Sequence, residues 1–156
     1  MTDMISEIRV IKSLSEIDKD DWNTVAAVGN FDGVHLGHQK IIEQAKMLAK
    51  RLDTVPSILT FEPHPRVLFQ TDGIPFRLST SASKALALST LGIELIFELQ
   101  FDKSFAQLSA EDFVVRVLKE NLRLQHVVCG YDFVFGHRRR GTAEILENLS
   151  MQVDIG

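Results

Sequence analysis

Runs of branched and aromatic apolar residues alternate with helix-period segments along this chain, and that alternation decides what it can fold into. "VAAVGNF", from Val25, reads as a buried strand that stops at a glycine. "QKIIEQAKMLAKRL" then sets Ile41, Ile42, Ala45, Leu48, Ala49 and Leu52 on one helical face. "VPSILTF" is a second buried strand, halted by Pro63 and Pro65. "SASKALALSTLG" is helical, with Gly92 as its stop. "IELIFELQF" is a third strand. "SAEDFVVRVLKENL" is a helix with Ser109 as N-cap and Asp112 at the reciprocal capping position. "HVVCG" is a short fourth strand, Thr142 caps a last helix, "AEILENL", and "MQVDIG" reads as a strand just beginning. Ile8 to Ile11 forms an extra strand ahead of the rest. Strands and helices in alternation, joined by short links, build βαβ units. The expected fold is therefore α/β, a mainly parallel sheet with helices on both faces.

Length and composition limit the function classes. The 156 residues suit one domain, and 45% hydrophobic with 24% charged residues predicts a packed core. A formal net charge of -4 argues against a dedicated nucleic-acid binder. Cys129 is the single cysteine, which excludes an internal disulfide and fits a reducing cytoplasm. "MTDMISEIRVIK" has acidic residues and no apolar core, so it is no secretory signal. No apolar run approaches the ~20 residues of a membrane helix. The expectation is a soluble cytoplasmic protein that engages neither membrane nor nucleic acid.

The turn between the first buried strand and its helix, "GNFDGVHLGH", holds the chemistry. In open α/β sheets ligands bind beyond the carboxyl ends of the strands. Gly29 and Gly33 allow a tight turn and a close backbone approach to a ligand. The helix start offers unpaired N–H groups suited to phosphate. His35 and His38, three apart, face the same way if both lie in the first turn, and two imidazoles can then serve adjacent phosphates. No Gly-Lys-Ser/Thr follows, so this is not a P-loop, and the glycine spacing is not the dinucleotide fingerprint. Two other readings stay open: the histidines pack the helix start, or they join His64 in a metal site. The chain supplies no Cys pair or His-Glu-x-x-His spacing to complete the latter.

"HLGH" resembles the His-x-Gly-His signature of the nucleotidylyltransferase superfamily. With "TFEPHPR", "FDKSFAQLSAEDFV" and "VVCGYDFVFGHRRRG" in this order, the chain resembles the N-terminal adenylyltransferase module of prokaryotic FAD synthetases, the bifunctional riboflavin kinase/FMN adenylyltransferases. The resemblance runs from about Val25 to Gly141 and implies a Rossmann-like nucleotidylyltransferase fold. It implies that FMN and ATP give FAD and pyrophosphate, with Mg²⁺. It also implies that His35 and His38 contact the triphosphate, that Gly29, Asn30, Phe31, Asp32 and Gly33 shape the ATP pocket, and that Arg139 contributes to it. On the flavin side it implies Phe61, Pro63, His64, Arg66, Phe113, Asp132 and Phe135, with Asp132 a candidate Mg²⁺ ligand. Read from the residues alone, Phe61 and Phe113 serve equally well as core aromatics, and Arg138 to Arg140 as a solvated basic loop.

The sequence departs from the family pattern at Val134, where an arginine is common, and at Arg138. A Ser-Ser-Thr-x-x-Arg-like segment and the riboflavin kinase β-barrel, which follow in the family, are not among these residues. Residues 1–156 are thus expected to be an adenylyltransferase domain truncated at its C-terminal end. The alternatives are a non-catalytic nucleotide- or flavin-binding fragment and another small nucleotidylyltransferase.

Overall fold

The structure, a computed structural model, describes residues 8–31, 36–62 and 81–156, with the side chains of Leu36 and Ser81 excepted. Five parallel strands form the main sheet: β1 (Arg9–Ile11), β2 (Val25–Val28), β3 (Pro56–Glu62), β4 (Leu95–Gln100) and β5 (His126–Cys129), in the order β1-β4-β3-β2-β5. All of β2 is buried, as its unbroken apolar run requires of a central parallel strand covered on both faces.

Two apolar layers flank the sheet. Val25, Ala27, Ile58 and Ile96 pack with Ile42, Ala45 and Ala49 of α1 (Leu36–Arg51) and Leu88 of α2 (Ser81–Thr90). The alternate strand residues, Ala26, Val28, Leu59 and Phe97, pack with Phe113, Val114, Val117, Leu118 and Leu122. They also meet Leu146 of the last helix (Ala143–Gln152). The α/β fold with helices on both faces is therefore as expected. Gly92 ends α2 at φ 90°, where its N–H donates to Ser89 O and that of Ile93 to Leu88 O. This is the Schellman pattern, and the left-handed residue it needs is why a glycine stands there.

Three details differ from the expectation. Leu52 lies beyond the last residue of α1 and is exposed, because the chain has already turned toward β3. The helix that Ser109 caps starts as α-helix, α4 (Ala110–Asp112; the short α3 is Lys103–Ala106), then widens to a π-helix over Phe113–Asn121. Phe113 and Leu118 are five residues apart, as are Val117 and Leu122, and all four are buried. Wider turns stack such pairs above one another and narrow the apolar stripe. Met151 and Gln152, read as the beginning of a strand, still belong to the last helix, α5 (Ala143–Gln152). Strand-like pairing appears only at Gly156, which donates to Gln125 O at 3.0 Å and accepts from Val127 N–H at 3.1 Å. Thr142 caps α5 as expected, accepting from Ile145 N–H.

Candidate functional site

The chain leaves β2 for β3 and then β4 on one side, and returns to β5 on the other side of β2. The strand order reverses between β2 and β5, so a ligand crevice belongs at their carboxyl ends. Val28 pairs with Cys129 across these strands, and Gly29 and Gly130 follow directly. Two glycine-bearing turns thus emerge side by side.

On the β2 side, Gly29 N–H donates to Leu59 O at 3.0 Å. One residue on, the Asn30 carbonyl accepts from Thr60 Oγ1 at 3.1 Å. Asn30 Oδ1 is buried, with no hydrogen-bond partner among the described residues. Phe31 is fully buried at φ 54°, left-handed for a bulky side chain. Its ring centroid stands 4.9 Å from that of His38, the third residue of α1. A Cβ on Gly29 would sit 3.3 Å from the same phenyl ring. The glycine, the strained phenylalanine and the histidine therefore form one packed unit. Asp32, Gly33 and His35 lie outside the described residues.

On the β5 side, a Cβ on Gly130 would approach Asp132 Oδ1 to 3.1 Å and Ile41 Cδ1 to 3.4 Å. The Asp132 carboxylate therefore folds back over a glycine, next to α1. Burial first, then the negative charges of Asp132 and Glu147, pushes the Cys129 thiol above its ordinary pKa. Beyond, β6 (Val134–Phe135) and β7 (Gly141–Thr142) make an antiparallel hairpin. Arg138, Arg139 and Arg140 are exposed at its tip, the first two with left-handed backbones.

The candidate flavin aromatics come together, but as packed rings. Phe113 lies 6.2 Å from Phe61 and 5.3 Å from Phe135, and Phe135 stacks on Phe133 at 5.6 Å. Phe61, Phe113 and Phe135 are 6%, 2% and 8% exposed, so little of any ring faces solvent. They join the apolar layer opposite the one that holds Phe31. Phe101 and Phe105 complete the aromatic cluster. Pro63, His64 and Arg66 lie outside the described residues. No group of three or more His, Cys, Asp or Glu gathers among the described residues. A cavity of about 500 Å³, lined by Asn23, Lys119, Arg123, Gln125 and Asp154 among others, opens at the opposite, amino-terminal ends of β2 and β5 and holds none of these groups.

Sequence reasoning missed Thr60 and Lys84. Lys84 stands one helical turn before the buried Leu88, on the face of α2 that turns inward. A charged residue at a core-facing position was the available signal.

A parallel sheet whose glycine turn and helix-borne histidine meet at the strand-order reversal defines an α/β protein with a nucleotidylyltransferase-like fold. Residues 17–156 match the family model described as FAD synthetase, and the chain belongs to that family. It is 32% identical over 142 residues to the bifunctional riboflavin kinase/FMN adenylyltransferase of Buchnera aphidicola subsp. Acyrthosiphon pisum, covering 91% of this chain and 45% of that one. It is 33% identical over 145 residues to the protein of the same name from Escherichia coli K12, covering 93% and 46%. The chain thus spans slightly under half the length of these relatives, matching their N-terminal portion. A solved structure described as a macrolide-efflux protein from Streptococcus pneumoniae superposes with a TM-score of 0.78 at 26% identity, over 94% of this chain and 47% of that one. Among the described residues, no helix is long and apolar enough to cross a membrane.

Proposed function

We propose that this chain is an FMN adenylyltransferase module, which moves the AMP moiety of ATP onto FMN. A phosphate oxygen of FMN bonds to the α-phosphorus of ATP, the bond from that phosphorus to the bridging oxygen breaks, and pyrophosphate leaves with the electron pair. The products are FAD and pyrophosphate. The nucleophile is already an anion, so the protein's task is positioning and charge neutralisation.

The observation that carries this reading is the convergence of the Gly29–Phe31 turn, with His38 packed on Phe31, and the Gly130–Asp132 turn at the switch point. The names of the relatives support it. In this reading His38 and His35 donate to the triphosphate, while the backbone of Gly29 to Gly33 borders the nucleotide. Arg139 meets phosphate from the hairpin tip. The flavin lies beside Pro63, His64 and Arg66, with the buried Phe61, Phe113 and Phe135 backing its pocket from the core side. Mg²⁺ commonly binds through one or two carboxylates plus substrate phosphates, and Asp132 offers one carboxylate at the crevice. There Asp132 would hold the ion, which supplies charge neutralisation on the triphosphate. The relatives' names also support a riboflavin kinase activity in the whole protein, and the single cysteine supports a cytoplasmic location.

Incubation with Mg²⁺, ATP and FMN tests the reading. FAD and pyrophosphate should form, and His38→Ala should lower kcat by roughly 10²–10³-fold, as loss of one preorganised donor does elsewhere. Tight binding without pyrophosphate would make the chain a binding module. Turnover only with another phosphorylated acceptor would make it a different nucleotidylyltransferase.

A further inference from the structure

Lys84 is 3% exposed, rare for a lysine, whose charged end must be paired when it leaves water. Its Nζ donates to Thr60 Oγ1 at 3.3 Å, and Thr60 Oγ1 lies 3.1 Å from the Asn30 carbonyl. An ammonium has protons and no lone pair, so it fixes the hydroxyl rotor. Thr60 accepts from Lys84, and its single proton goes to Asn30 O. Glu98, also buried, stands opposite Thr60 on β4, so the layer around this ammonium is polar on the strand side too.

The carbonyl held in this way belongs to the peptide plane that joins Asn30 to Phe31. Turning that plane changes φ of Phe31, which stands at 54°. A bulky residue in the left-handed region is strained and persists only where its surroundings impose it. We propose that Lys84, acting through Thr60, is a positioning residue of the nucleotide site: it locks the Asn30–Phe31 peptide and thereby holds the Phe31 ring against His38. Neither residue belongs to the glycine and histidine motif, and neither touches substrate in this proposal. Its kinetic consequence rests on the adenylyl-transfer reading, and its structural consequence does not.

The test uses Thr60→Val, which keeps the shape and removes both hydrogen bonds, Thr60→Ser, which keeps the hydroxyl, Lys84→Met, and the Thr60→Val/Lys84→Met double variant. In proton NMR, the His38 ring resonances feel the ring current of Phe31. They should move in Thr60→Val and Lys84→Met and keep their wild-type positions in Thr60→Ser. With ATP and FMN, Thr60→Val should lower kcat by roughly ten- to a hundredfold, the scale of a misplacement near 1 Å, with little change in KM. The losses of the two single variants should be less than additive in the double variant, because they share the Thr60 hydroxyl. Unmoved His38 resonances in folded Thr60→Val, or additive losses in the double variant, overturn the proposal. Should Lys84→Met fail to fold, Thr60→Val against Thr60→Ser decides alone. Moved resonances in a wild-type background that makes no FAD support the positioning role and sink the FMN reading instead.

Discussion

Glycines in this molecule differ in what a single methyl would meet, and the difference sorts their substitutions. At Gly130 the added Cβ comes 3.1 Å from Asp132 Oδ1, the end of an exposed side chain that can swing away. Gly130→Ala is therefore expected to leave the fold within about 1 kcal/mol of wild type. It should raise KM for Mg·ATP several-fold, because the displaced carboxylate is the one proposed to serve the ion; steady-state kinetics beside urea denaturation separates the two effects. Gly136 is the opposite case. It sits at φ 79°, and a Cβ would stand 3.0 Å from the backbone nitrogen of Ala110, which cannot swing aside. Gly136→Ala should cost about 1–3 kcal/mol in urea denaturation, through the forced left-handed conformation and the clash together. The role of Gly29 as a turn-former is legible in the sequence, since a strand ending in glycine before a helix has few other meanings. The left-handed Phe31 beside it is not legible, because no side-chain pattern marks a bulky residue as left-handed.

Elements were legible wherever burial imposes a period. β2, β3 and β4 are covered on both faces, so their apolar runs stand out from the helices between them, and the first turn of α5 is written in Thr142. The π-helix was hidden. Phe113, Val114, Val117, Leu118 and Leu122 satisfy a 3.6-residue period tolerably, and nothing in the residue types favours the wider turn that aligns them better. The same element separates two readings of Phe113, which sequence leaves equal. Its ring is 2% exposed and touches Phe61, Phe105 and Phe135. Such a ring acts first as core. Phe113→Ala should lower stability by about 3–5 kcal/mol, the range for emptying a buried aromatic site, which a shift of the urea midpoint at unchanged slope would report. At urea-free conditions where the variant stays folded, FMN binding measured by flavin fluorescence should weaken far less than that figure.

At the scale of the whole molecule, β5 carries two groups whose ionisation opposes folding, one at each end of the strand. Its first residue, His126, has a pKa lowered from 6.5 by burial, and its last, Cys129, has one raised from 9.0, by burial first and then by Asp132 and Glu147. Both shifts say that the folded strand prefers neutral side chains. For His126 the neutral form prevails in folded and unfolded chains alike above pH 6.5. As pH falls through that value the unfolded chain takes up the proton first, so stability is lost on the way down to the folded pKa. For Cys129 the sign reverses. The unfolded chain loses its thiol proton first as pH rises past 9.0, so stability is lost on the way up to the folded pKa. Between the two values neither group opposes folding, and the stability contributed by β5 should be flat. In urea denaturation followed from pH 5 to pH 10, these two groups should therefore contribute one shoulder at each end of the profile. His126→Gln should remove the acid shoulder alone and Cys129→Ala the alkaline one alone, and a profile unchanged by either substitution would contradict the assignment. Alkylation supplies an independent reading of the same strand, since the thiolate is the nucleophile. Iodoacetamide should label Cys129 more slowly than an unfolded-chain thiol at pH 8, and the rate should keep climbing with pH beyond the point where a free thiol has levelled off.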